Sequence, residues 1–525
     1  MQIQLTGGAY QAKSVIASAQ RCVNLYPEIN EQGAPFPTTH YLTPGLTQVA
    51  DVTGPQIGWR GLFVASNGRL YGVCGPTVYW ITPGFIPQKI GTISSSSGMV
   101  SMVDNGTDLL LVDGSTSGWW IHLASNAFSA VSDPSFYGGS RVALIDGFFV
   151  LNSAANPFQW YISDDLATTF TSTNFAGKTG YSDPIVCCYA TQRNLWIFGT
   201  QTAEIWVDAG NADFPFERLP GPFLQVGCAS AQSIGRLNET LIWLGLNENG
   251  RAVAMASEFY TALPISTRAI ENTWQMYPTV ADAQACTYQQ DGHQFYVLNF
   301  PTANATWVYD LTSNMWHERS YNDVNGNENR VRYSCVAFYN NAHVAGDWQT
   351  GQLYILDPAN PTDNGQPIVR RRGLPVMQDE GVRLIYRAFV ADMDVGEGVY
   401  GGEFGQTLTE AQMQLGVSPA SVTLSMQSAL TFGTSTYTQM QAELQELYTG
   451  PEAFDDQVYL RWSDDRGKTW GNPLAISIGQ LGEFLTSLKW RRLGYARNRV
   501  FELFWSCNTM TALNGAYVDA QEAAA

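Results

Sequence analysis

Basic residues are scarce in this chain: 28 Lys and Arg stand against 46 acids among 525 residues, a formal net charge of −18. Proteins that grip nucleic acid by its phosphates need a cationic face, because counterion release supplies most of that affinity. Broad DNA binding by the surface is therefore excluded, whereas an acidic wall suits a conduit along which DNA must slide. Cysteine is dilute as well. The eight thiols (Cys22, Cys74, Cys187, Cys188, Cys228, Cys286, Cys335, Cys507) include no C-x-x-C pair, and five scattered histidines leave zinc chemistry little to work with. Buried free thiols are the expected state, and no metal or cofactor is expected. No apolar run approaches the roughly 18 residues of a membrane span, and Met1–Gln20 lacks the charged-then-apolar order of a secretion signal. A soluble protein made in the cytoplasm, without membrane insertion, is the expectation. Walker A, H-E-x-x-H and G-x-S-x-G motifs are all missing, which removes the basic equipment of phosphoryl transfer, zinc proteolysis and α/β-hydrolase chemistry.

Apolar and turn-forming residues are abundant. Hydrophobic residues make up 45% of the chain, with 49 Gly, 16 Trp, 25 Tyr and 25 Phe, the composition of a globular protein rich in aromatic strands and tight turns. One pattern recurs: an apolar run, a Gly/Asn/Asp turn, a second run rich in Leu, Val and aromatics, then a third carrying Trp or Tyr. Seven units begin at Arg60, Met99, Arg141, Ile185, Cys228, Gln284 and Tyr333, spaced by 39 to 56 residues. That spacing is close to a four-stranded propeller blade, with the fourth strand falling in the intervals. Asn105-Gly106, Asp146-Gly147 and Asp291-Gly292 supply the positive φ of tight hairpins. Within the sixth unit, Trp307–Arg319 resembles a kelch-type strand and turn with Asp310 and Trp316. The expected fold is all-β: a β-propeller, with seven blades, plus a C-terminal β-rich domain carrying a partly helical acidic insertion. A hairpin-built β-sandwich is the alternative. Residues 1–59 read as an N-terminal arm and first strands, 60–358 as the propeller, and 359–525 as the C-terminal domain.

Beyond the Pro/Asn/Gly linker Asn360–Gln366 the rhythm breaks. Residues 388–460 contain no Lys or Arg but ten acids, among them Asp392, Asp394, Glu397, Glu403 and Glu410. This one-sign field is a candidate lumen-facing segment. Inside it, Tyr437–Tyr448 is the chain's best helical stretch. Cations concentrate instead at Arg370, Arg371 and Arg372 and at Lys489, Arg491, Arg492, Arg497 and Arg499, a candidate interface for an acidic partner or a neighbouring subunit; solvated strand ends are the plainer reading. Gly396–Gly401 satisfies G-x-G-x-x-G, but no helix follows and the surrounding acids would repel a pyrophosphate. Asp392 and Asp394 lack the later bidentate acid of a calcium loop, so a solvated turn is expected there. Ser463, Asp465, Gly467, Thr469 and Trp470 fit the Asp-box pattern S-x-D-x-G-x-T-W, and Ser163–Phe170 is a degenerate copy. The pattern is local and structural: the carboxylate accepts turn N–H groups, glycine supplies the unusual φ, and tryptophan covers the hairpin. Such boxes occur in sialidase propellers away from the active site, and no catalytic residue is assigned.

Several stretches resemble the packaged-DNA stabilisation proteins, the tail hubs or nozzles, of short-tailed bacteriophages. They are Cys22–Glu28 (CVNLYPE), Tyr41–Leu46 (YLTPGL), Arg60–Gly75, GMVSMVDNG, Ile197–Gly210 and, near the end, VYLRWSDDRGKTWG and LKWRRLGYARNRVFELFW. Their collinear order carries the resemblance, from about residue 20 to 360 and again from 455 to 510. It implies a structural virion protein without an active site. Such a protein would be a homo-oligomer, expected as a hexamer, below the portal and adaptor. It would retain packaged DNA, conduct it without sequence recognition on ejection, and anchor tail fibres, spike or needle proteins. The competing readings are a glycan-cleaving, sialidase-like propeller and a carbohydrate-binding propeller.

Overall fold

Asp-Gly pairs set the first level of structure. Asp146 and Gly147 lie at φ +46° and +93°, and Asp291 and Gly292 at +50° and +81°, the doubly left-handed geometry of a two-residue hairpin. At Asn105-Gly106 glycine alone is left-handed, at +91°. There the Asn105 side chain accepts the Thr107 and Asp108 N–H groups at 3.0 and 2.9 Å, closing a wider loop. The computed structural model describes residues 2–397 and 456–522, apart from 4, 6–7, 13–18, 53–57, 248, 324, 380 and 480–485.

Such hairpins build five separate four-stranded antiparallel sheets in chain order, over residues 59–92, 101–130, 142–176, 185–224 and 235–264. The second strands are buried on both faces because each sheet lies between neighbours. Leu109, Leu110, Leu111 and Val112 are all fully buried. Leu109 and Leu111 pack with the sheet before them, Leu110 and Val112 with the sheet after, as the two-residue period of a strand requires. Trp196, Phe198 and Trp243 join the fourth and fifth sheets in the same way.

The last two repeat units depart from the expected pattern of seven like blades. The sixth, Gln284–Gln290, His293–Phe300, Ala305–Asp310 and Met315–Glu318, does not end as a blade. It continues through Cys22–Val23 and Arg370–Gly373 into a ten-stranded sheet with Asn498–Trp505, Gln457–Ser463 and Leu474–Ser477. The final unit, Tyr333–Tyr339, Ala342–Asp347 and Gln352–Asp357, takes its fourth strand from Gly45–Asp51 near the start of the chain. An outer strand drawn from the opposite end of the chain covers an edge that would otherwise stay open. This unit then meets the first sheet: Ser334 Oγ donates to the Trp59 carbonyl at 3.0 Å and Tyr339 to that of Ile81 at 3.2 Å. The sheets thus close around an axis as a β-propeller.

The C-terminal region is a β-sandwich. One sheet orders Leu488–Arg491, Leu384–Glu397, Met510–Glu522, Thr38–Leu42 and Leu25–Ile29. It packs on the far end of the ten-stranded sheet, with Phe389 5.0 Å from Phe501 between ring centroids. Residues 1–59 therefore serve the sandwich, the joint and the propeller in turn. The acidic stretch needs correction at its start. Residues 388–397 are not an exposed insertion, since Phe389, Ala391, Met393 and Val395 are buried in the sandwich and only the alternate Asp392 and Asp394 face outward. For the same reason this acidic pair lies in a strand and not in a solvated turn. The helical stretch Tyr437–Tyr448 lies outside the described residues, among which the α-helix is Arg268–Trp274, capped by Thr267.

Leu46 anchors the closing strand, opposite Leu356 and 5% exposed. Replacing Leu46 by Ala is expected to cost about 2–5 kcal/mol and to lower the thermal unfolding midpoint, read by circular dichroism; an unchanged midpoint would contradict this account of ring closure.

Candidate interaction surfaces

The arginine triplet sits on the strand that joins propeller to sandwich, and alternation splits it. Arg370 and Arg372 are fully buried. Arg370 donates to the carbonyls of Cys507 and Pro361 at 3.0 and 2.6 Å, and Arg372 to Gln20 Oε1 at 2.9 Å. Burial lowers the pKa of the Arg370 guanidinium to about 10 and also depresses that of Arg372. Arg499 is buried too, gripping Asp464 through two bonds of 2.6 and 2.7 Å and the Leu493 carbonyl at 2.6 Å, with Tyr386 and Trp462 against its guanidinium. These three are corrected out of the candidate interface: their donors are directed into the chain's own interior, where an unpaired charge is most costly. Arg371 faces the other way, 3.6 Å from Glu502 and 3.8 Å from Glu328. It belongs to a network with Arg21, Glu318 and Arg461 across the joint.

Four of the expected cations remain exposed: Lys489, Arg491, Arg492 and Arg497. The fold adds two that sequence reading missed, Arg383 and Arg387. Arg491 pairs across the sheet with Ala388, and the Arg492 N–H bonds the Arg387 carbonyl at 2.9 Å. Arg383 stacks 4.7 Å over Tyr495, itself 60% exposed. None of the six forms an ion pair among the described residues. Their gathering could not be read from spacing, since it depends on which strand lies beside Leu488–Arg491.

At the other end of the long strand, Asp394 borders an open cavity of about 570 Å³ with Tyr26, Tyr41, Glu28 and Asp291. Asn514 donates to Asp394 at 3.0 Å. Burial raises the Tyr41 hydroxyl pKa, and Glu28 and Asp394 raise it further. Asp392 is half-buried on the same strand. Glu397 closes that strand, and its side chain, Glu403 and Glu410 lie outside the described residues.

The Asp box forms as its chemistry demands. Asp465 accepts the Lys468 and Thr469 N–H groups at 3.0 and 2.8 Å and the hydroxyls of Thr469 and Ser463 at 2.6 and 2.7 Å. These bonds hold its carboxyl well below the usual range. Gly467 has φ +80°, and Trp470 lies under the Arg461 guanidinium at 4.7 Å. In the degenerate copy the S-x-D register is not followed: Asp164, rather than Asp165, receives the Thr169 and Thr171 hydroxyls at 2.7 and 2.8 Å. Leu166 takes a left-handed φ of +51° there without a glycine.

A histidine cluster behind the cavity was not anticipated. His293 Nδ1 lies 2.7 Å from Asp310, and Arg319 Nε donates to His317 Nε2 at 3.2 Å, which fixes His317 as a neutral acceptor. Burial holds the His317 pKa well below the ordinary value, and Arg319, His293 and His40 lower it further; the Asp310 hydrogen bond shifts His293 the opposite way. Asp310 also accepts the Thr312 N–H at 3.0 Å, and Trp316 packs back 5.2 Å from Tyr309, the arrangement expected of that turn. Among the described residues no group of three or more His, Cys, Asp or Glu is placed to hold a metal ion. No helix among them is long and apolar enough to cross a membrane.

A propeller sharing strands with a sandwich, its buried arginines bonded within the joint, defines a two-domain all-β scaffold. Two family models match it, Bacteriophage P22 Gp10, beta-propeller, over residues 1–360 and Bacteriophage P22 Gp10, beta-sandwich, over residues 426–521. The chain belongs to this P22 Gp10 family and is a structural protein of the phage tail that stabilises packaged DNA. No curated protein matches it. Among solved structures it is similar to the extracellular domain of BT4673 from B. thetaiotaomicron, described in one structure as a hybrid two-component system and in another as a one-component system. Both have 9% identity and a TM-score of 0.41, and the match covers 60% and 59% of this chain and 40% of each of those.

His317 yields a pH prediction. Its folded pKa lies below the unfolded value of about 6.5, so its contribution to stability is complete above that value and is lost as pH falls below it. Between pH 7 and pH 5 the unfolding midpoint of the wild type should fall further than that of a His317→Gln variant; equal falls would contradict the assignment.

Proposed function

We propose that this protein is the hub, or nozzle, of a short-tailed phage. It sits in the virion below the portal and adaptor as a homo-oligomer, expected as a hexamer. There it retains the packaged genome, conducts it on ejection, and anchors tail fibres, spike or needle proteins. The observation that carries this reading is the match of both domains to one tail-protein family in collinear order. The charge distribution supports it. With a net charge of −18, an acidic wall would let DNA pass without trapping it, and Asp392 and Asp394 are the described members of the segment proposed to face the lumen, where neighbouring copies meet. The exposed cations Lys489, Arg491, Arg492 and Arg497 are proposed to meet an acidic protein surface. Neither catalysis nor a cofactor enters this role. The Asp box does not favour a sialidase-like alternative, since Ser463–Trp470 lies in the sandwich and not in the propeller.

Cryo-EM of particles that carry portal and adaptor but lack this component, mixed with the purified chain, tests the proposal. A ring docked on the adaptor with residues 392–394 toward its axis is expected. A chain that stays monomeric and ignores those particles would defeat the hub reading, and residues 392–394 on the outer surface would defeat the lumen assignment alone.

A further inference from the structure

We propose that the basic face of one copy, Arg383, Arg387, Lys489, Arg491, Arg492 and Arg497, docks head to tail on the acidic, tyrosine-walled cavity of the next. The inference rests on the reading of this chain as an oligomeric hub and deepens it by naming the surfaces that meet.

Three observations carry it. The first is the basic face itself: six exposed cations gather on a chain whose net charge is −18, none ion-paired among the described residues. Asp519 and Glu522, exposed on the adjoining strand, leave cations in excess there. The second is what accompanies those cations. Tyr495 is 60% exposed and Ile385 41% exposed in their midst, an aromatic and an aliphatic anchor among arginines, the composition of an interface centre. The third is the complementary site: Glu28, Asp291 and Asp394 surround a cavity of about 570 Å³ walled by Tyr26 and Tyr41. A guanidinium entering it would find both carboxylates and ring faces.

The two surfaces cannot satisfy each other within one copy. Arg387 and Asp394 stand on the same extended strand, Leu384–Glu397, and seven residues at about 3.3 Å each place them roughly 23 Å apart. The strand is thus polarised, cations at its start and carboxylates at its end, and only a second molecule can bring unlike ends together. In an isologous pair the two patches would be matched reciprocally and assembly would stop at two copies; in the ring that the hub reading calls for the contact is heterologous, the type that closes when its rotation is a simple fraction of a turn. Charge complementarity also singles out the partner: the cationic face fits an acidic protein surface, and the next copy supplies one with a cavity.

All eight native cysteines are buried, so introduced thiols can be addressed selectively. Full-length chains carrying Arg491→Cys, Asp394→Cys or both are assembled on particles bearing portal and adaptor and treated with a short bis-maleimide. The double variant should give a ladder extending beyond dimer, the two single variants mixed should give dimer alone, and each single variant by itself should give monomer. Dimer from either single variant alone, or no ladder from the double variant, would overturn the head-to-tail contact. Duplex DNA retained by the wild type and released by Arg491→Glu, again without a ladder, would overturn it in favour of a nucleic-acid face. Docking of the wild-type chain on the particles is read separately: docking without a ladder defeats this inference and leaves the hub reading standing, whereas failure to dock defeats the hub reading itself.

Discussion

Everything in this molecule hangs on one stretch of backbone pairing. Glu318, at the end of the sixth repeat unit, pairs in parallel with Val23; Cys22–Val23 pairs with Arg370–Gly373; and that strand pairs with Asn498–Trp505 of the sandwich. Two domains that could have been tethered by a linker are instead parts of one ten-stranded sheet. Asn24 locks the joint. It takes a left-handed φ of +55°, which asparagine tolerates better than most residues. Its amide donates to the carbonyls of Ser320 and Val369 at 3.0 and 2.8 Å, and its side-chain oxygen accepts the Ser320 N–H at 2.9 Å. A single buried side chain thus ties the end of the sixth unit to the segment entering the sandwich.

The joint explains why the buried arginines are where they are. Strand addition between domains leaves loop carbonyls, those of Pro361 and Cys507 among them, inside the structure without ladder partners. Arg370 reaches them with several donors from one planar group. Around the rim, where solvent enters, Arg21, Arg371 and Arg461 are matched by Glu318, Glu328 and Glu502. Half-exposed pairs of this kind contribute modestly one by one, and the buried backbone bonds carry more of the cohesion.

The repeats were legible because hairpin chemistry is local: Asp146-Gly147 and Asp291-Gly292 announce their turns, and runs such as Leu109–Val112 announce sheets covered on both faces. The closing strand Gly45–Asp51 was not legible as part of the propeller, because its partner Gln352–Asp357 lies at the far end of that domain and pairing across such separation leaves no local mark. The arginine triplet shows a subtler limit. Period two places Arg370 and Arg372 together and Arg371 opposite, but which face is interior depends on the neighbouring strands. The acidic stretch hid a strand whose alternation was there to be read: Ala391, Met393 and Val395 inward, Asp392 and Asp394 outward. Arg383 and Arg387 escaped notice because about a hundred residues separate them from the cations they join in space.

The central claim, that propeller and sandwich share one continuous sheet, can be tested directly by native-state hydrogen exchange with mass spectrometry. If it holds, amides of Cys22–Val23 and Arg370–Gly373 exchange as slowly as those of Ala305–Asp310 on one side and Asn498–Trp505 on the other, in one cooperative unit. Fast exchange confined to 22–23 and 370–373, with both flanking strands protected, would mean that the domains are merely tethered and would contradict the account.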